Sequence, residues 1–160
     1  MTTIARSLVL AVLLATVGMA PARAGPEAPA GYYADQKVVY HNDGGGRDDA
    51  AYFRRLLGNL RNHVKAVGRD HLDLRVVSHG DGVALFRIAL DDVEMAGRID
   101  ALKDLGVRFL VCANTLRERG IERGTLRGVG EDDIVPSGVA ELARLQGMGF
   151  AYVHPQRSRT

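Results

Sequence analysis

The chain has 160 residues, with 21 lysines and arginines against 19 aspartates and glutamates, one cysteine and no tryptophan. That length supports one domain with a core of its own, and a single cysteine excludes an intramolecular disulfide framework. A near-neutral charge balance without a basic run gives no electrostatic case for binding nucleic acid or anionic lipid.

Residues 1–24 read as a secretory signal peptide. Arg6 gives a basic start, Leu8 to Met19 is an apolar run, and Ala22-Arg23-Ala24 supplies the small-x-small pattern ahead of Gly25. The run is too short for a comfortable membrane span. No cysteine follows it to carry a lipid, and no adjacent arginine pair precedes it. The expectation is a periplasmic protein with no membrane contact once the signal is cut. The signal takes Arg6 and Arg23 with it and no acid, leaving 19 residues of each sign. Residues 25–36 are rich in Pro, Ala and Gly and read as a flexible lead-in, residues 37–155 as the domain, and residues 156–160 as a tail.

Lys37 to His41 is a short strand, and Asn42-Asp43-Gly44-Gly45-Gly46 forces a turn. The spacing of Phe53, Leu56, Leu57, Leu60, Val64 and Val67 predicts a helix from about 48 to 67, with Asp48 and Asp49 at its positive end. Gly58 inside it costs about 1 kcal/mol relative to Ala, which points to a packing reason for it. Leu72 to Ser78 is a second strand and His79-Gly80-Asp81-Gly82 its turn, whereas Val83 to Leu90 is apolar and fits either kind of element. Asp91 with Glu94 suggests a capping box for a helix whose stripe is Val93, Ala96, Ile99 and Leu102. Val107 to Cys112 is the most continuously apolar strand and so a central one. Asn114 then caps a short helix, 115–119, which Gly120 stops. Residues 120–132 read as a loop, 133–135 as a fourth strand, 138–148 as a helix capped by Ser137 with Val139, Leu142 and Leu145 on one face, and 150–154 as a last strand.

Strand and helix alternate throughout, which predicts an α/β domain with a parallel sheet covered on both faces. Parallel strands end on one edge, where ligands bind. The ends here bring His41, Asn42 and Asp43, then Ser78, His79 and Asp81, then Cys112 and Asn114, then Ser137 to that edge. A thiol at the start of a helix has its thiolate favoured, and Arg117 one turn on is placed to help. The candidate nucleophile is therefore Cys112, with His41, Asn42, His79 and Asn114 as candidate binding residues. Competing arrangements carry less. His41, His79 and Cys112 include no closely spaced ligand pair, so no metal is expected. Gly44-Gly45-Gly46 is neither phosphate fingerprint, and Asp48 and Asp49 would repel phosphate. A hydrolase arrangement of Cys112 with a histidine and Asp43 or Asp81 has no specific spacing. His63 and His71 lie away from this edge, and His154, before Pro155, reads as structural.

The strand ending Val-Cys-Ala-Asn-Thr (111–115), the block Ile-Val-Pro-Ser-Gly-Val-Ala-Glu-Leu-Ala-Arg-Leu-Gln (134–146) and the terminal Gly-Phe-Ala-Tyr-Val-His-Pro (149–155) resemble the DsrE/DsrF-like family. The first strand with Tyr-His-Asn-Asp and the second with Val-Ser-His-Gly also fit, so the resemblance covers about residues 37–155. It implies a three-layer α/β/α sandwich with a five-stranded, mostly parallel sheet of order 4-3-2-1-5, assembled into homo-oligomers (dimers, trimers or hexamers). Well-understood members carry sulfane sulfur as a persulfide on a cysteine and pass it to a partner protein's thiol. Here that role falls on Cys112 alone, and no cofactor is implied. Those members are cytoplasmic complexes of related subunits, which an export signal does not match. A non-catalytic oligomeric binding module of the same fold and a redox-sensing thiol are the other expectations the residues leave open.

Overall fold

In the computed structural model, residue 29 and residues 31–46 and 49–155 are described. The signal peptide, residues 25–28 and 30 of the lead-in, Asp48 at the expected helix start and the tail lie outside them. No helix among the described residues is long and apolar enough to cross a membrane.

Among the described residues, strands and α-helices alternate except for two consecutive helices between β2 and β3: β1 (Gln36–Asn42), α1 (Asp49–Val67), β2 (Leu72–Ser78), α2 (Ala84–Ile88), α3 (Val93–Asp104), β3 (Arg108–Cys112), α4 (Ala113–Glu118), β4 (Ile134–Val135), α5 (Gly138–Gly147) and β5 (Ala151–Val153). The ambiguous stretch after β2 is a 3-10 turn, Gly80–Val83, running into the short α2. All strand pairs are parallel and the order is β4-β3-β2-β1-β5, as the resemblance implied.

Alternation along the strands sorts the core into two halves. Val38 and Tyr40, Leu74 and Val76, Phe109 and Val111 face α1, α2 and α3, where Phe53, Leu56, Leu60, Phe86, Met95 and Ile99 complete the larger core. Val39, Val77 and Leu110 face the other way, against Leu142 and Leu145 of α5 and Phe150. The result is an α/β/α sandwich in which α5 is the helix that covers the second sheet face. By the same alternation His41, two residues after Val39, and Cys112, two after Leu110, point to the α5 side, and so does His79, two after Val77.

Several local expectations need correction. The α3 cap is Asp92, whose side chain accepts from the Met95 N–H at 2.9 Å, while Glu94 pairs with Arg98; Asp91 is not the cap. Val93 is consequently the first helical residue and stands 84% exposed, and Met95 takes its place in the buried stripe. Val139, in the first turn of α5, is exposed and not on the buried face with Leu142 and Leu145, although Ser137 caps that helix as expected. The cap of α4 is Cys112 itself, two residues earlier than expected. The stretch 120–132 is less loop-like than its glycines suggest, because one 3-10 turn, Arg123–Thr125, lies within it, a second, Glu131–Asp133, overlaps its end, and Leu126 and Val129 are buried in the larger core. Gly58 has no packing reason: a methyl there would meet nothing within 4 Å.

Candidate functional site

The site begins with where β3 stops. Cys112 is the last residue of β3 and the cap of α4, so its side chain sits under the first N–H groups of that helix. Ser137 caps α5 by accepting from the Ala140 N–H, and this aims the start of α5 at the same point. Gly138, the first residue of α5, makes the close approach feasible. A Cβ on it would lie 2.9 Å from His79 Cβ and 3.1 Å from Cys112 Cβ, tighter than carbon atoms pack.

The sulfur therefore has donors from two helix starts. Burial pushes the Cys112 thiol pKa up and is the largest single influence. Hydrogen bonds from the Gly138 N–H, the Thr115 N–H and hydroxyl, and the Asn114 N–H together outweigh it, and the net shift is downward, toward thiolate. The Thr115 hydroxyl is fixed from the other side, because its oxygen accepts from the Gly80 N–H at 3.0 Å. Cys112 is only 3% exposed, yet it opens into a pocket of about 230 Å3 that it shares with His79, Thr115, Arg119, Ser137 and Val139. Larger hollows of about 570 and 710 Å3 lie at the opposite sheet edge and beside α2, and neither contains the thiol.

Beyond the pocket, the histidines form a second, continuous group. His79 and His41 meet Nε2 to Nε2 at 2.6 Å, with ring centroids 4.7 Å apart and planes inclined by 23°. His41 Nδ1 lies 2.6 Å from the Tyr152 hydroxyl on β5. His154 stacks on His41 with ring centroids 4.7 Å apart, and its Nε2 is 3.0 Å from Asp43 Oδ1. The His41 pKa is pulled down to about 4, by burial first and then by the charges of His79 and His154, with Asp43 opposing. Burial, helped by the Asp43 charge, raises the Tyr152 phenol, which keeps its proton.

The expected site residues are thus divided. Cys112, His79 and Asn114 line one pocket, and His41 touches His79. Asn42 does something else. It is fully buried; its amide nitrogen donates to Ser78 Oγ and to the Gly82 carbonyl, and its Oδ1 accepts from the Gly44 N–H. It ties the β1 and β2 loops together and presents nothing to a ligand. Alternation carries the signal, since Asn42 follows His41 and so points to the opposite sheet face. Gly82 completes this clamp, because a Cβ there would fall 2.0 Å from the Asn42 carbonyl oxygen. Asn114 contributes its backbone N–H to the sulfur, while its side chain accepts from Arg117 at 2.6 Å. Arg117 is held there and does not tune the thiol; the arginine at the pocket is Arg119, paired with Asp81 at 2.8 Å. Thr115, Gly138 and Tyr152 were missed, and His154 joins the histidine group instead of standing apart. Thr115 was findable as the buried hydroxyl one helical turn after the cysteine. His63 bonds Tyr40 and Gln36, and His71 bonds Asp35, away from this edge. Among the described residues no group of three histidine, cysteine or carboxylate side chains is arranged to hold a metal ion.

Comparison with known proteins agrees with this architecture. The DsrE/DsrF-like family matches residues 4–155. No curated protein matches. A solved structure of a protein of unknown function, MTH1491 from Methanobacterium thermoautotrophicum, is 35% identical and superposes with a TM-score of 0.63, covering 76% of this chain and 100% of its own. With the parallel sheet in the order β4-β3-β2-β1-β5 and the family pattern running through the whole described domain, the chain belongs to the DsrE/DsrF-like family.

Proposed function

We propose that this protein is an exported sulfur carrier that holds sulfane sulfur as a persulfide on Cys112 and passes it to an acceptor thiol. The observation that supports this most is the set of donors around the sulfur: N–H groups from two helix starts and a hydroxyl, opening into a small pocket. Such a setting favours a thiolate both as nucleophile and as leaving group. With thiosulfate as donor, the Cys112 thiolate attacks the outer sulfur, the sulfur–sulfur bond of thiosulfate breaks, sulfite leaves with the electron pair, and Cys112–S–S⁻ remains. In discharge, an acceptor thiolate attacks the terminal sulfur and the Cys112 thiolate leaves, so no outside oxidant or reductant is consumed. The acceptor is a thiol on another protein or a small thiol, and the carrier works as a homo-oligomer in the periplasm.

The test is intact mass after incubation of the purified protein with thiosulfate or polysulfide. The expected result is a gain of one sulfur that dithiothreitol removes and Cys112→Ser abolishes. Reversal by the reductant matters because a sulfinic acid adds nearly the same mass but persists. A thiol that takes no sulfur and resists alkylation until the protein unfolds would overturn the carrier and leave a binding module.

A further inference from the structure

We propose that His79, His41 and Tyr152 form a proton relay that runs from the Cys112 pocket to the surface and protonates the terminal sulfur of the persulfide. The inference rests on the carrier reading and deepens it, by adding the groups that make the bound sulfur transferable.

The geometry dictates a chain of alternating donors and acceptors. Two Nε2 atoms 2.6 Å apart require a hydrogen on one and a lone pair on the other. A neutral imidazole has one N–H and one bare nitrogen, so fixing Nε2 of His41 fixes its Nδ1, and Nδ1 fixes the sense of its bond to the Tyr152 hydroxyl. The chain therefore has two arrangements. In one, Tyr152 donates to His41, His41 donates to His79, and His79 presents its Nδ1–H. In the other, every hydrogen bond is reversed and His79 presents a bare Nδ1. Switching from the first to the second delivers one proton from His79 and takes one up at Tyr152. His79 lines the thiol pocket, and its Nδ1 makes no hydrogen bond among the described residues. Tyr152, 43% exposed, is the outer end and exchanges with water. The groups that face His41 are His79 from the end of β2, Tyr152 and His154 from β5 and beyond, and Asp43 from the end of β1. Burial first, then the charges of His79 and His154, outweigh Asp43 and keep His41 neutral near pH 7, as such a relay requires.

The chemistry needs this proton. A persulfide anion repels an incoming thiolate, whereas Cys112–S–SH is electrophilic at its outer sulfur. His79 gives a proton to that sulfur, and water restores it through Tyr152 and His41. The acceptor thiolate attacks, the sulfur–sulfur bond breaks, its electron pair goes to the Cys112 sulfur, and the acceptor departs as R–S–SH with the proton. Loading from thiosulfate, in which the Cys112 thiolate displaces sulfite and leaves Cys112–S–S⁻, takes up no proton and so does not call on the relay.

The experiment measures, on the full chain, the rate of sulfur loading from thiosulfate and, separately, single-turnover discharge of the loaded protein to a small thiol. For Tyr152→Phe the discharge-to-loading rate ratio should fall about 10-fold, and for His79→Gln about 100-fold, the lower end of what a positioned acid or base contributes. Added imidazole should restore part of the Tyr152→Phe loss, which a merely structural role for the hydroxyl would not allow. An unchanged ratio in Tyr152→Phe and His41→Gln, with sulfur still loading, overturns the relay and leaves the carrier standing. A wild-type chain that takes up no removable sulfur overturns the carrier, and the relay with it.

Discussion

Replacing Gly138 by alanine tests whether the approach of α5 to β3 is what builds the sulfur site. The added methyl would sit 2.9 Å from His79 Cβ, 3.1 Å from Cys112 Cβ and 3.4 Å from His79 Cδ2. Carbon atoms settle at about 3.5–4.0 Å, so the start of α5 must retreat by roughly 0.5–1 Å. The two Cβ atoms it meets are anchored directly to backbone at the ends of β2 and β3, so neither can swing aside. Overpacking of this kind costs about 1–3 kcal/mol. Loss of a glycine recovers about 0.4–1 kcal/mol by restricting the unfolded chain, and the Gly138 φ is one that alanine accepts. The net expectation is a loss of about 1–2 kcal/mol in urea unfolding. A retreat of α5 also weakens the Gly138 N–H bond to sulfur, so alkylation of Cys112 should need higher pH. Gly147→Ala at the far end of α5, where a methyl meets nothing within 4 Å, is the control and should be neutral or stabilising. A Gly138→Ala protein as stable as the wild type, with the same alkylation profile, would refute the close-packed account of the site.

Other outcomes follow from the same geometry. Gly58→Ala should stabilise the protein by about 0.5–1 kcal/mol, since helix propensity improves and the methyl has open space; chemical unfolding checks it. Thr115→Val removes a donor to the sulfur and strands the Gly80 N–H, so it should cost about 1–3 kcal/mol and move Cys112 alkylation to higher pH, with Thr115→Ser largely restoring both. His41 titrates near 4 when folded and near 6.5 when unfolded, so the fold favours its neutral form. Its contribution is complete above about pH 6.5 and is lost as pH falls toward 4, amounting to about 1–2 kcal/mol once its partial exposure is discounted. Urea midpoints from pH 8 to 4.5 should therefore fall less steeply in His41→Gln than in the wild type.

Much of this site was legible because two simple rules act together. A parallel sheet sends every strand end to one edge, and alternation decides which face each residue takes. Those rules suffice to bring Cys112, His79 and His41 together from three separate strands. Applied with equal care, they also separate Asn42 from them. Tyr152 and His154 were out of reach of such reasoning, because periodicity marks a strand but does not say which strand it will lie beside. Only the order of the sheet puts β5 against β1 and so against His41. The helix starts slipped by a residue or two where several polar candidates were adjacent, as with Asp91 and Asp92. That slip is enough to turn Val93 from core to surface. Gly138 and Gly82 are invisible without neighbours, since what a missing side chain avoids is a fact of tertiary structure.

The placement of β5 has a consequence for the order of events as the chain is made. The surroundings of Cys112 draw on residues up to the start of α5, whereas Tyr152 and His154 reach His41 across 111 or more residues of sequence. A contact that distant waits until nearly the whole domain has emerged and collapsed. A chain interrupted before Phe150 therefore has the thiol, His79 and His41 but lacks the side chains that hold His41 from β5. The last strand to join the sheet acts as a completeness check, and the outward path from the sulfur closes only on a finished molecule.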